Sequence, residues 1–242
     1  MSGTRTLIVN ADDMGQSAGV NRGIIAAHEK GIVRSASLMV RGAAAGEAAA
    51  YAAANGGLDL GLHFDLGEWA FRGGTWQPVY EVVDPEDRAL VAEDLIRQIE
   101  AFRDLTGTNP THLDSHQHVH LREPLRPLFQ EIADRLEVPL RRLHPLVHYC
   151  GDFYGQTEEG LPLSERLTVD ALVRILSSLP PGVTELVCHP GEGNDVSSAY
   201  GTERAVELGV LCDPRVRTAI GEMKIEVSSF RGILDRLRGA ER

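Results

Sequence analysis

An α/β fold, a (β/α) TIM-like barrel with about seven parallel strands, is the fold class this 242-residue sequence predicts. Three observations predict it. Short β-like runs alternate with helical patterns along the chain, and repeated βα units require a parallel sheet with helical crossovers. The length is normal for one such barrel. The polar residues able to do chemistry fall just after several different strands, which is where barrel active sites lie.

Leu7-Ile8-Val9 is the first strand, an apolar run. Residues 20–30 read as a helix, stopped by Gly31. Residues 35–40 are the second strand, and the alanine-rich stretch 43–55 a helix ended by Gly56-Gly57. Residues 58–66 alternate as a third strand. After a longer insertion, Leu90, Leu95, Ile96, Ile99, Phe102 and Leu105 give residues 85–105 helical spacing. The histidine-rich segment from Thr111 begins as a fourth strand. Residues 124–136 are helical, 139–143 a fifth strand and 169–179 a helix. Residues 184–188 make the sixth strand, followed by shorter helices. Residues 224–227 are the seventh strand, and 230–238 a closing helix. No repeat, low-complexity tract or linker interrupts this order, so residues 1–242 read as a single domain. A dinucleotide-binding fold would want a glycine fingerprint after the first strand, and Asn10-Ala11-Asp12-Asp13-Met14-Gly15 is not one.

A net charge of -11 argues against nucleic acid or an anionic membrane as partner. Three distant cysteines, Cys150, Cys188 and Cys212, imply no disulfide framework. The N-terminus lacks the pattern of a signal peptide, and no apolar run approaches the roughly 18 residues of a membrane span. A cytoplasmic protein is the expectation.

Between Thr111 and Leu121, His112, Asp114, His116, His118 and His120 occupy every second position. On a strand all five face one side, and imidazoles with a carboxylate are the groups that hold divalent metals and move protons near neutral pH. Spacing limits what one ion can collect. Residues four apart on a strand lie about 13 Å apart, while metal–ligand bonds are about 2.0–2.2 Å. Unless the chain bends sharply, one cluster histidine must therefore combine with groups from other strands. His63 and one of the adjacent Asp12 and Asp13 are the natural contributors. The second aspartate can then stay free to take a proton.

Asn-Ala-Asp-Asp-Met-Gly (10–15), Gly-Val-Asn-Arg-Gly-Ile (19–24), Ser-Leu-Met-Val (37–40), Gly-Leu-His-Phe (61–64), the histidine segment (111–120) and His-Pro-Gly (189–191) resemble the YdjC-like carbohydrate deacetylases, in particular the chitooligosaccharide deacetylase type. The resemblance implies a distorted barrel, a homodimer, and metal-dependent removal of N-acetyl groups from acetylated amino sugars. It matches Asp13, His63 and His116 to metal-binding positions, Asp12 to the general base and His189 to the general acid. Arg141 falls where an orienting arginine would lie. Met14 stands where Phe is usual and Asp65 where Asn is common. Met14 reads as a packing change, while Asp65 would add a carboxylate near the site.

The implied cofactor is one divalent ion, Mg or Zn. Zinc suits two imidazoles and a carboxylate, and magnesium is often assigned to such proteins. Asp114 and His112 would stand behind His116, whereas His118 and His120 read as loop or core histidines. Trp69 and Trp76, in the insertion after the third strand, suit the faces of a sugar. Cys188 reads as inert packing. A metal-dependent phosphoesterase and a non-catalytic sugar- or metal-binding protein are the alternatives. The scarcity of Lys and Arg near the motifs counts against the first, and the second would not need Asp12 or His189.

Overall fold

The computed structural model describes residues 3–193, 195–196, 198 and 200–234. β1 (Arg5–Met14) is buried along nearly its whole length, as a strand covered on both faces should be. It runs parallel to β2 (Ser35–Leu38), which pairs in turn with β3 (Asp59–Phe64) and, through β3, leads to β6 (Leu113–Ser115). On its other side lie β8 (Gly182–Cys188) and then β7 (Val147–Cys150). β9 (Ile225–Ser228) pairs with the start of β1. Among the described residues these seven strands form one parallel sheet, in the order β6-β3-β2-β1-β8-β7 with β9 beside β1. It is the sheet of a distorted, partly open barrel.

The crossover helices are α1 (Ala18–Glu29), α2 (Ala45–Ala54), α3 (Arg88–Thr106), α4 (Arg126–Leu136), α5 (Val169–Ser178), α6 (Glu203–Leu211) and α7 (Pro214–Glu222). The starts follow from local chemistry. Ser17, Asp87 and Thr168 each accept a hydrogen bond from an N–H in the first turn of α1, α3 and α5 that has no partner within the helix. α1 lies close to the turn after β8, where a Cβ on Gly23 would stand 2.3 Å from Gly191 Cα. Only two facing glycines allow that approach. A closing helix begins at Phe230 and is described to residue 234. The rest of its expected span lies outside the described residues.

Two expectations change. Residues 139–143 are not a strand. Only Leu140 bridges β6, through Leu113, and the chain then turns, with Arg142 at φ +64° and Leu143 N–H bonded to the Leu140 carbonyl. The strand on that side is β7, several residues later. The insertion after β3 is a hairpin of β4 (Gly67–Arg72) and β5 (Thr75–Glu81), turned at Gly73-Gly74, both at positive φ. No helix among the described residues is long and apolar enough to cross a membrane.

Candidate active site

Asp12 and Asp13 would point to opposite faces of a regular strand. The register between β1 and β2 slips between Ala11 and Met14, and Asp13 has φ +67°. This bulge turns both carboxylates toward one cavity. Asp13 Oδ1 lies 3.3 Å from His63 Nε2 and 3.1 Å from His116 Nδ1. One donor atom from each of Asp13, His63 and His116 fits within 4.8 Å, and all three residues are buried.

The histidine segment does bend sharply. β6 ends at Ser115, and residues 116–121 form a 3-10 turn with Gln117 and His118 at positive φ. His116 is therefore carried toward β1, away from the face of its strand neighbours. Asp114 stays on β6 as the register partner of His63 on β3. Cross-strand partners share a face, and Asp114 Oδ1 lies 2.7 Å from His63 Nδ1. The ring atom left facing Asp13 is Nε2. A carboxylate behind a ligating imidazole is the usual support of a metal site.

Arg141 is fully buried and joins three strands. Its Nη1 and Nη2 each donate to one oxygen of Asp12 at 2.7 Å, Nη2 lies 2.7 Å from Asp114 Oδ2, and Nε lies 2.5 Å from Glu185 Oε1 on β8. Burial raises the Asp12 carboxyl, but Arg141 outweighs it and holds the group below its usual range. Burial likewise acts against ionisation of Asp13, and Arg204 with His116 holds it well down. Arg204 Nη2 donates to Asp13 Oδ2 at 2.6 Å.

His189 follows β8, with Nε2 3.8 Å from Asp12 Oδ2 and Nδ1 3.9 Å from Glu207 Oε1. Burial lowers the His189 imidazole to about 4, so it is neutral at pH 7. Burial raises Glu207 to about 8, so that carboxyl is protonated at neutral pH. Glu207 also accepts hydrogen bonds from the His189 backbone N–H and the Tyr200 hydroxyl. Asp12, Asp13, His63, His116 and His189 all open onto one cavity of ≈ 530 Å³, which Trp76, Tyr149, Tyr154 and Tyr200 also line.

Other expected residues fall elsewhere. Asp65 is not among the converging groups: its Oδ1 accepts from Gly67 N–H and Tyr80 O–H, each at 3.0 Å, anchoring the hairpin. His112 lies behind the cavity, stacked on Phe230 at 3.9 Å, with Nε2 3.0 Å from Ser37 Oγ. Its ring fills the space that a side chain on Gly61 would need. Burial lowers it to about 3. Trp69 is half-buried beneath Arg122 and does not line the cavity, whereas Trp76 is 55% exposed and does. His120 is buried against Ser115 and the Arg141 carbonyl, and His118 Nε2 meets the Tyr149 hydroxyl at 3.1 Å. Neither joins the Asp13 cluster. Cys188 is fully buried in β8.

Sequence reasoning missed Glu68, Glu185, Arg204 and Glu207. Glu68 Oε2 lies 3.4 Å from His116 Nε2. The available signal was weak: Glu68 directly precedes Trp69 in the insertion, and Glu185 is a carboxylate inside an apolar strand.

The donor set suits a divalent ion. It offers one carboxylate and two imidazole nitrogens, buried, mutually close, backed by further carboxylates and open to a cavity.

The acid–imidazole cluster sits at the C-terminal ends of the strands of a parallel half-barrel, and that fold is shared with known proteins. A family 4 carbohydrate esterase from Streptomyces lividans has a similar fold, with TM-score 0.53 over 94% of this chain and 93% of its own, at 13% identity. An Enterococcus faecalis V583 protein, described as a candidate for cellobiose-phosphate cleavage, matches with TM-score 0.76 over 95% of this chain and 99% of its own, at 22% identity. The particular family follows from sequence. The YdjC-like protein family matches residues 6–222, and the chain belongs to it. Similar relatives are a carbohydrate deacetylase of Geobacillus stearothermophilus, 32% identical over 94% of this chain and 97% of the relative, and a chitooligosaccharide deacetylase of Serratia marcescens, 33% identical over 95% and 99%.

Proposed function

We propose that this protein is a metal-dependent hydrolase that removes N-acetyl groups from acetylated amino sugars or short oligosaccharides of the chitooligosaccharide kind. One observation carries the reading. Asp13, His63 and His116 converge at a cavity whose walls also hold Asp12 and His189. The names of the full-length relatives supply the substrate class.

Asp13, His63 and His116 would hold one divalent ion, zinc or magnesium, which supplies Lewis acidity toward the acetyl carbonyl and makes water more acidic. Asp12 is the base that takes the proton of the attacking water. Arg141 keeps it ionised and fixes both its oxygens. His189 is the acid that protonates the leaving nitrogen as the C–N bond breaks, releasing acetate and an amine. It is neutral before the reaction and must gain a proton during it. Asp12, 3.8 Å away, is the neighbour that has just acquired one. Trp76 offers an exposed ring for a sugar face. A cytoplasmic homodimer, each chain a single domain over residues 1–242, completes the proposal.

Acetate release from acetylated chitooligosaccharides by wild type, Asp12→Asn and His189→Ala tests it. Release by wild type and its loss in both variants is expected. A wild type with a full metal site that frees no acetate from any acetylated amino sugar contradicts it.

A further inference from the structure

The two imidazoles of the cluster are not supported alike. His63 is backed by Asp114 on the neighbouring strand and presents Nε2 to Asp13. His116 presents the other nitrogen, Nδ1. Its remote Nε2 faces the β4–β5 hairpin, where the carboxylate of Glu68 lies 3.4 Å away.

Glu68 is only 1% exposed. A buried carboxylate is costly unless it is engaged, and its second oxygen accepts a hydrogen bond from Ser198 Oγ at 3.1 Å. The next residue is also fixed to the histidine turn. Gln117 Oε1 accepts from Trp69 N–H at 2.9 Å, and Gln117 Nε2 donates to the Trp69 carbonyl at 2.7 Å. Two consecutive residues of the hairpin, 68 and 69, thus grip two consecutive residues of the turn, 116 and 117. Gln117 makes this grip from a left-handed conformation, φ +50°. Such strain persists only where surrounding contacts hold it.

We propose that Glu68 is the positioning residue of His116: its carboxylate holds the ring as the Nε2–H tautomer, so that Nδ1 is the atom offered to the ion beside Asp13. The proposal rests on the metal reading above and deepens it. The hairpin is then part of the metal centre as well as a wall of the cleft. His63 and His116 ligate through opposite nitrogens, each backed by its own carboxylate.

The test is calorimetric titration of zinc into chelator-stripped wild type, Glu68→Gln and Glu68→Ala, with urea unfolding of the same metal-free proteins and histidine ¹H–¹⁵N spectra of the zinc-loaded forms. Zinc affinity should fall about 10- to 100-fold in Glu68→Ala. It should fall less in Glu68→Gln, whose amide oxygen can still accept from the ring. The wild-type spectrum should show His116 metallated at Nδ1 and protonated at Nε2. Unchanged zinc affinity in both variants overturns the proposal, whatever happens to metal-free stability, and so does ligation through His116 Nε2. Wild type that binds no zinc overturns the metal centre itself, which is a separate and recognisable failure.

Discussion

Arg141 donates to both oxygens of Asp12 at 2.7 Å while the same guanidinium lies 2.7 Å from Asp114 Oδ2. One buried cation therefore organises both the proposed base and the carboxylate that orients His63. It also reaches from the turn after Leu140 to Glu185 on β8.

Removing that cation should be severe. Arg141→Met leaves Asp12, Asp114 and Glu185 buried together without their common partner, and breaking a buried pair costs about 3–5 kcal/mol. Urea unfolding should show a loss of that order. Arg141→Lys should recover part of the stability but not the two-oxygen grip on Asp12, so its kcat should remain low.

Asp12→Asn should separate chemistry from metal binding. Asp12 lies outside the Asp13–His63–His116 set, and the second close group, Asp12, His63 and Asp114, already holds the Arg141 guanidinium between its two carboxylates, so zinc affinity should stay within a few-fold of wild type. kcat should drop about 10²- to 10⁴-fold, the usual worth of a general base. Parallel calorimetry and steady-state kinetics check both halves.

A bound metal should stabilise the fold through the three proposed ligands, Asp13, His63 and His116. At a concentration 100 times its dissociation constant, an ion that binds only the folded state adds about 2.7 kcal/mol. Thermal unfolding with and without zinc or magnesium should show this in wild type. His63→Ala and His116→Ala should lose most of the shift, while His118→Ala should keep it.

The metal-free protein should be most stable near pH 6.5. Burial holds His112 and His118 down to about 3, and His120 and His189 to about 4. Below pH 6.5 these four bind protons when unfolded but not when folded, so acidification destabilises. Burial raises Glu185 to about 7 and Glu207 to about 8, so these two stay protonated in the fold and offset only part of that loss. Burial opposes protonation of His116, but Asp13 pushes it up to about 9, and Asp114 outweighs burial to raise His63 well above its usual value. Their protonated pairs stabilise the fold below pH 6.5, and that contribution is lost as pH rises through their folded values. Each proton of mismatch changes stability by about 1.4 kcal/mol per pH unit. Urea midpoints between pH 5 and 9 should form a dome, and zinc should flatten its alkaline side by replacing the protons on His63 and His116.

Much of the fold was legible because the strands follow local rules. Six of the seven expected strands lie where apolar runs and alternation put them. The fifth failed because Leu140 has only one bridge before Arg142 turns the chain. The hairpin was unread because its second strand carries no buried face: β5 has no buried residue. The convergence of Asp12, Asp13, His63, His116 and His189 on one cavity was readable from motifs at strand ends. Arg204 was not, since it reaches Asp13 across 191 residues of chain. Glu68 and Glu207 likewise arrive from the insertion and from α6, where local pattern carries no information about distant partners. The turn at His116 was legible only as a condition, that one ion could not gather the cluster unless the chain bent.

The most direct measurement is acetate release from an acetylated chitooligosaccharide by chelator-stripped wild type, titrated with zinc and, separately, with magnesium. The metal-free protein should be inactive, and with one of the two ions activity should rise to a plateau at one equivalent per chain. Full activity without metal, or no acetate at saturating metal with the Asp13–His63–His116 site filled, would contradict the account.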